Sequence, residues 1–372
     1  MARVRDKGMV TSKSPPKSPF NKGGLRGIKV AVLMGGVSTE REVSLRSGQA
    51  VSKGLQDSGY SVIPIVVEDT KVEKLDHHEV DLAFIALHGY FGEDGEIQAL
   101  LETKGVPYTG SGARASKLAI NKAESKKVFR AGGLPTPDFL VLKRHEFLRN
   151  RGCIAGQLGK LSLPLVVKPA CNGSSLGVTI VKAIEGVVPA LEVAFNYDDI
   201  VLLEAYVMGQ ELTVGVLGEE ALPLIEIKPS REFYDFEAKY KDNNTCYILH
   251  PKLPDGVYQE AQDTALKAHR ALGCSDFSRV DMICDELGNL HILEVNTIPG
   301  FTERSLLPKA AQATGMSFSQ LCSKIVELAL SRNKVHQGES HTEQTCGQAV
   351  LDRVHPLTSG VGMADMVPSK EI

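Results

Sequence analysis

The chain is 372 residues long, more than one ordinary hydrophobic core requires, so two or three domains are expected. Its formal net charge of -3 and pI near 6.4 point away from nucleic acid or a membrane surface as partner. Seven cysteines without any Cys-x-x-Cys spacing read as buried thiols of a reducing compartment, and with no bilayer-spanning run or signal-peptide core a cytoplasmic protein is expected.

Residues 1–27 hold seven basic residues against one acidic, broken by Pro and Gly, and are expected to form a disordered extension. A short apolar strand over 29–34 ends in Gly35-Gly36, and Ser38-Thr39-Glu40-Arg41-Glu42 then leads into a helical stretch to Leu55. Strand, glycine turn and helix in that order open a doubly wound α/β domain whose ligands sit at the carboxyl ends of the strands. Strands over 60–67 and 81–87 continue the βαβ rhythm. Gly-Gly-Val-Ser is not Gly-x-Gly-x-x-Gly, which weakens a nicotinamide-binding reading. After the third strand, His88-Gly89-Tyr90-Phe91-Gly92-Glu93-Asp94-Gly95 presents a histidine and carboxylates on a glycine-rich loop where a ligand should lie. A plain acidic turn is the alternative.

Helix signals run over 113–131 and stop at Gly132-Gly133, Pro135 and Pro137. Lys122 stands there among Lys117, Lys126 and Lys127 and, taken alone, reads as a solvated residue. A strand over 163–167 delivers Lys168 and then Asn172-Gly173-Ser174-Ser175-Leu176-Gly177 before a second strand through Val181. Such a loop offers N–H groups and hydroxyls to phosphates, with Lys168 supplying charge. Lacking Gly-Lys-Ser/Thr, it is expected to be a β-hairpin folded over a nucleotide. A helix over 185–196 and a strand over 200–203 lead into Glu204–Glu211, a connector whose backbone can bind adenine while Glu211 accepts from ribose hydroxyls. Strands over 212–217 and 222–227 precede an aromatic-rich stretch, 229–246, that reads as a lid or a connector.

A helix over 259–272 precedes Arg279–Gly300, which reads as a β-hairpin around a polar break at 285–289. Strand alternation puts Arg279 and Asp281 on one face with Glu294 and Asn296, and Val280, Met282, Leu293 and Val295 on the other. These oxygens are hard donors suited to Mg²⁺, and the guanidinium can hold phosphate or carboxylate oxygens bidentately. A salt-bridged solvated face is the alternative. Helices over 306–313 and 318–330 close the fold, and 331–372 read as a disordered tail.

Taken in this order, the Lys168 strand, the small-residue loop, the connector and the Arg-x-Asp…Glu-x-Asn hairpin resemble ATP-grasp ligases. Ser38-Thr-Glu-Arg-Glu-Val-Ser44, His88-Gly-x-x-Gly-Glu-Asp-Gly95, Tyr234-Asp-x-Glu-Ala-Lys-Tyr240 and Asn296-Thr-x-Pro-Gly300 narrow the resemblance to the D-alanine:D-alanine ligases, over about 28–330. Asp276 and Ser278 stand where that family tends to have smaller residues, and Ala205 where it often has a larger one. The resemblance implies mixed α/β and α+β architecture. An N-terminal doubly wound domain would span 28–118, a central lid domain 119–208 and a catalytic ATP-grasp domain 209–332, with 333–372 as tail.

The resemblance further implies ATP-dependent ligation of two D-alanine molecules through a D-alanyl phosphate, for peptidoglycan precursor synthesis, by a homodimer. Asp281, Glu294 and Asn296 would hold two Mg²⁺ or Mn²⁺ ions. Lys122, Lys168 and Lys239 would bind phosphate oxygens beneath the loop containing Ser175. Glu204, Ala205 and Val207 would serve adenine, the latter two through their backbone, and Glu211 the ribose. Glu40 would pair with the ammonium of the first D-alanine, linked to Ser174 and Tyr240, with His88 near its carboxylate. Arg279 and the Gly300 N–H would stabilise the tetrahedral oxyanion, while Ser305 and the Leu306 N–H would bind the second carboxylate. A depsipeptide ligase, differing at the Tyr240 position, and a catalytically dead nucleotide-binding regulator are the competing readings. The regulator should have lost metal or phosphate ligands, and none is visibly lost.

Overall fold

The computed structural model describes residues 27–72, 79–149, 156, 158–159, 161–228 and 245–333. The basic extension, the tail past 333 and the 229–244 stretch carrying Lys239 and Tyr240 lie outside the described residues.

Three sheets make up the described structure. The first has the order β2-β1-β3, with β1 (Lys29–Gly35) parallel to both β2 (Ser61–Val67) and β3 (Leu82–Ile85). All but the first residue of β1 are buried, as expected for a parallel strand covered on both faces. Helix α1 (Arg41–Asp57) turns Ser44, Ser47, Gly48, Val51 and Leu55 inward at helical spacing. It packs so closely on β1 that a Cβ on Gly48 would stand 2.3 Å from that of Met34. Helix α2 (Glu96–Thr103) packs Ile97 and Leu101 into a core with Ala31 and Leu33 of β1.

Where a single helix was expected over 113–131, there are two: α3 (Ala113–Ile120) and α4 (Lys122–Ala131). Asn121 leaves helical geometry at ψ 93 and caps α4 by accepting from the Glu124 N–H at 3.1 Å. The Lys122 N–H then donates to the Ala170 carbonyl, anchoring the start of α4 beside the small-residue loop. The buried face of α4 carries Lys122, Lys126 and Phe129, which follow one another by four and three residues. The solvated reading of Lys122 taken alone is therefore corrected: it is buried, as is Lys126.

The second sheet, β4-β7-β5-β6, is antiparallel and is formed by Phe139–Lys143, Ile200–Ala205, Leu165–Pro169 and Thr179–Val181 in that order. Helix α5 (Arg144–Arg149) follows β4, and α6 (Val187–Phe195) covers β5 with Val187, Leu191 and Phe195. The expected hairpin is present, with β5 and β6 joined through 170–178.

The third sheet runs β11-β10-β8-β12-β13, and β9 (Glu220–Ala221) pairs with β8 (Gly209–Leu217). Its other strands are β10 (Ile225–Lys228), β11 (Cys246–Leu249), β12 (Phe277–Asp285) and β13 (Leu290–Asn296). Helix α7 (Val257–Ala271) lays Ala261, Ala265 and Ala268 on Val214, Val280 and Ile292, and Phe129 of α4 enters the same core. Helix α8 (Leu306–Ala313) and a helix over 318–333 complete the described chain. Only three residues separate β7 from β8, so the second sheet hands the chain directly to the third. Asp276 takes φ 59 and accepts from the Gly110 N–H at 2.8 Å, while Ser278 contacts His269 at 2.7 Å, so both departures from small residues have structural partners. Among the described residues no helix is long and apolar enough to cross a membrane.

Candidate active site

Two cavities lie where the sheets meet. One, of about 800 Å³, is lined by Glu40, His88, Lys122, Ser174, Arg279, Glu294, Asn296, Gly300, Ser305 and Leu306. The other, of about 640 Å³, is lined by Lys122, Lys168, Ser174, Ser175, Glu204, Ala205, Val207, Glu211, Asp281 and Glu294. Lys122, Gly173, Ser174 and Glu294 line both, so the cavities join at these residues. Every candidate residue within the described chain thus borders one cavity or both.

The hairpin register explains how the carboxylates converge. Asp281 stands opposite Glu294 and Arg279 opposite Asn296. Arg279 donates to both Asp281 oxygens, at 2.9 and 2.7 Å, and Thr213 adds a bond of 2.6 Å to the same carboxylate. Arg279 and Asp281, expected on one face of the strand, are thus partnered with each other. A bulge changes the rest of the pattern. Pairing slips after Asp281–Glu294, so Met282 meets Ile292 and Leu293 is the extra residue. Ile292, fully buried, takes the core place expected for Leu293, and Leu293 turns to the smaller cavity beside Ile283. The two carboxylates and the Asn296 amide, whose oxygen also accepts from the Ile298 N–H at 2.9 Å, form a hard oxygen set that fits Mg²⁺ or Mn²⁺.

Lysines surround this set. Lys122 lies 3.0 Å from Glu294. Burial alone would lower the Lys122 pKa, but the Glu294 carboxylate outweighs it and holds the ammonium above its ordinary value. Lys168 lies 2.8 Å from Glu204, and Lys126 reaches the same oxygen at 3.1 Å. Burial would raise the Glu204 pKa; the two ammonium groups outweigh it and hold the carboxyl below the usual range. Lys126 is pushed down to about 8 by burial, with repulsion from Lys168 adding to it. Between β5 and β6, Ser174 and Ser175 adopt φ 54 and 57, which curls the loop across the joint between the cavities. At the connector, the Ala205 N–H is already bonded to the Asp138 carbonyl at 2.8 Å, so of the expected Ala205 backbone groups only the carbonyl can serve adenine.

In the larger cavity Ser174 donates to Glu40, joining the loop of the second sheet to the start of α1. Gly89, at φ 71, runs so close to Glu40 that a Cβ there would lie 2.7 Å from its carboxylate, a place only glycine fills. His88 is buried and held at both nitrogens, by Ser47 Oγ at 2.8 Å and the Ile298 carbonyl at 3.1 Å. Ser47 Oγ also accepts from the Phe301 N–H at 3.2 Å, next to Gly300. Glu93 lies 3.6 Å from His88, and burial raises its pKa against the hydrogen bond from that ring. Ser305 occupies the N-cap position of α8 and lines the larger cavity with Leu306; its hydroxyl makes no cap bond, accepting instead from the Thr302 N–H at 3.0 Å and pairing with the Thr302 hydroxyl at 3.0 Å. Sequence reasoning passed over Ser47, Lys126 and Thr213. Ser47 was signalled by a polar residue three after Ser44 on an inward stripe, whereas Thr213 looks like any strand threonine. Of the cysteines expected to be buried, Cys171 and Cys246 are exposed, while Cys284 and Cys322 are buried.

Comparison with known proteins gives the family. The model described as D-ala D-ala ligase C-terminus matches residues 128–327, and that described as D-ala D-ala ligase N-terminus matches 29–76 and 68–111. A D-alanine--D-alanine ligase of Citrifermentans bemidjiense is 48% identical over 301 residues, 81% of this chain and 96% of the relative. The crystal structure of D-alanine--D-alanine ligase from Bacillus anthracis complexed with ATP has a TM-score of 0.73 at 35% identity, covering 83% of this chain and all of that one. VanG D-Ala:D-Ser ligase from Enterococcus faecalis has a TM-score of 0.71 at 30% identity, covering 82% of this chain and all of that one. With matched models spanning both the N-terminal and C-terminal parts and 48% identity to a relative covered over 96% of its length, the chain belongs to the D-alanine--D-alanine ligase family.

Proposed function

We propose that this protein is an ATP-dependent carboxylate-amine ligase that joins two D-alanine molecules into D-alanyl-D-alanine, releasing ADP and phosphate, in the supply of peptidoglycan precursors. The observation that carries the reading is the junction of the two cavities at Lys122, Gly173, Ser174 and Glu294, because a carboxylate in one and a triphosphate in the other can meet only there.

The smaller cavity takes the nucleotide. Ile283 and Leu293 supply apolar surface, Glu204 and the connector backbone hydrogen-bond the base, and Glu211 faces the ribose. Lys168 and Lys122 bind phosphate oxygens, with Lys239 assigned to the same task from sequence, and Ser174 and Ser175 close over them. In the larger cavity Glu40 holds the ammonium of the first D-alanine, steadied by Ser174 and, on sequence grounds, Tyr240. His88, fixed by Ser47 and Ile298, lies beside its carboxylate. One oxygen of that carboxylate attacks the γ-phosphorus as ADP leaves, giving D-alanyl phosphate. Ser305 and the Leu306 N–H hold the second D-alanine by its carboxylate. Its free amine attacks the acyl carbon, the Gly300 N–H and Arg279 stabilise the oxyanion, and phosphate departs as the peptide bond forms. Asp281, Glu294 and Asn296 would hold two divalent ions, whose charge neutralises the phosphates when bound.

D-alanine-dependent phosphate release, with the product identified by mass, tests the reading. Dipeptide formed one-for-one with phosphate is expected. ATP turnover indifferent to D-alanine, or depsipeptide as the main product when D-lactate is supplied equally, would overturn it.

A further inference from the structure

We infer that Lys126 is a positioning residue for nucleotide binding: it remains on Glu204 as a fixed counter-ion, so that Lys168 can leave that carboxylate for an incoming phosphate. The inference rests on the ligase reading above. Lys126 is fully buried and borders neither cavity. Its ammonium is held by Thr136 Oγ1 at 2.6 Å, the Ile292 carbonyl at 3.3 Å and Glu204 at 3.1 Å, so three separate segments fix it in place. Lys168 has Glu204 at 2.8 Å and borders the smaller cavity. Of two cations on one carboxylate, one is locked and the other faces the ligand.

The count of charges gives this arrangement its purpose. Glu204 is almost wholly buried, and a carboxylate in such a place is very costly without a cation. Were Lys168 its sole partner, each phosphate that drew Lys168 away would strand a buried anion, and the Lys168–Glu204 pair would resist opening. With Lys126 in place, Glu204 stays neutralised throughout and the cluster presents one surplus positive charge to the cavity. Repulsion between the lysines also falls when Lys168 moves away. The grip on Ile292 carries the effect further, because that residue adjoins the bulge that turns Leu293 toward the nucleotide and precedes Glu294.

Steady-state kinetics on the full chain test this with Lys126→Arg, Lys126→Met, Glu204→Gln and the double variant Lys126→Met/Glu204→Gln. Lys126→Met is expected to raise KM for ATP about tenfold or more, while kcat at saturating ATP and KM for D-alanine move less than about threefold. Lys126→Arg should recover most of the loss. In the Glu204→Gln background, removing Lys126 should change KM for ATP by less than about threefold, because no buried anion remains to be served. An unchanged KM for ATP in Lys126→Met, or a loss of equal size in both backgrounds, overturns the inference. Should Lys126→Met fail to fold, the Glu204→Gln pair decides: equal KM values support it, and a tenfold loss or a double variant that cannot fold overturns it. Wild-type protein without D-alanine-dependent turnover would sink the ligase reading instead, a separate outcome.

Discussion

Asp281 shows how much one side chain is asked to do. Both its oxygens are occupied, by Arg279 and Thr213, and Glu294 faces it across the hairpin with Lys122 attached. Replacing either carboxylate by its amide keeps shape but removes an anionic ligand where charge develops on phosphate. Asp281→Asn and Glu294→Gln are each expected to lower kcat about 10²-fold or more, with the far-UV spectrum and melting temperature close to wild type. Near-normal turnover at saturating Mg²⁺ in either variant would refute the metal assignment. The residue types of this set were legible because hard-oxygen chemistry needs Asp, Glu and Asn, and period-two alternation puts them together. The pairing of Asp281 with Arg279 was not legible, since spacing i, i+2 on a strand fixes a shared face and leaves open which neighbour a side chain grips.

Among the elements, β13 departs most from its sequence pattern. Strict alternation gives Leu293 to the core, and the bulge gives that place to Ile292. Ile292→Ala should therefore cost about 2–5 kcal/mol of stability, whereas Leu293→Ala should cost less than about 1 kcal/mol and act chiefly on KM for ATP. Denaturant titration beside ATP kinetics checks the pair, and the reverse ranking would contradict the register. Helix α4 departs from its local pattern for a related reason. Three lysines in a decade of sequence look solvated, but Phe129 on the same stripe pulls Lys122 and Lys126 inward onto carboxylates supplied by distant strands.

Helix α7 carries a pH effect. His269 is buried against Ser278, and burial pushes its pKa down to about 4 from the ordinary 6.5. Above pH 6.5 the ring is neutral whether folded or not, and its contribution is fully present. As pH falls from 6.5 toward 4 the unfolded chain takes up a proton that the folded chain refuses, so stability declines, by about 3 kcal/mol at the limit. His269→Gln, which keeps a partner for Ser278, should flatten that part of a stability-versus-pH curve. An unchanged slope would show that other groups set the acid limit.

At the scale of the whole molecule, the site exists because three sheets meet. Glu40 and His88 come from the parallel sheet, Lys168 and Ser174 from the second, and Arg279 to Asn296 from the third, and no one of them encloses a ligand alone. The sheet-forming segments and the chain order of the motifs could be read from strand, turn and helix signals. The edge strand β4, the short helix α5 and the break at Asn121 could not, because their local signals are weak and tertiary contacts decide them. That the two cavities join at Lys122, Ser174 and Glu294 depends on contacts between distant segments, which periodicity does not carry.

The central claim is that a D-alanine carboxylate meets a phosphate at this joint, and isotope transfer tests it most directly. With D-alanine carrying ¹⁸O in its carboxylate, each phosphate released during dipeptide synthesis should contain one labelled oxygen, because the oxygen that attacks phosphorus leaves with it. Dipeptide formed alongside unlabelled phosphate would contradict the account.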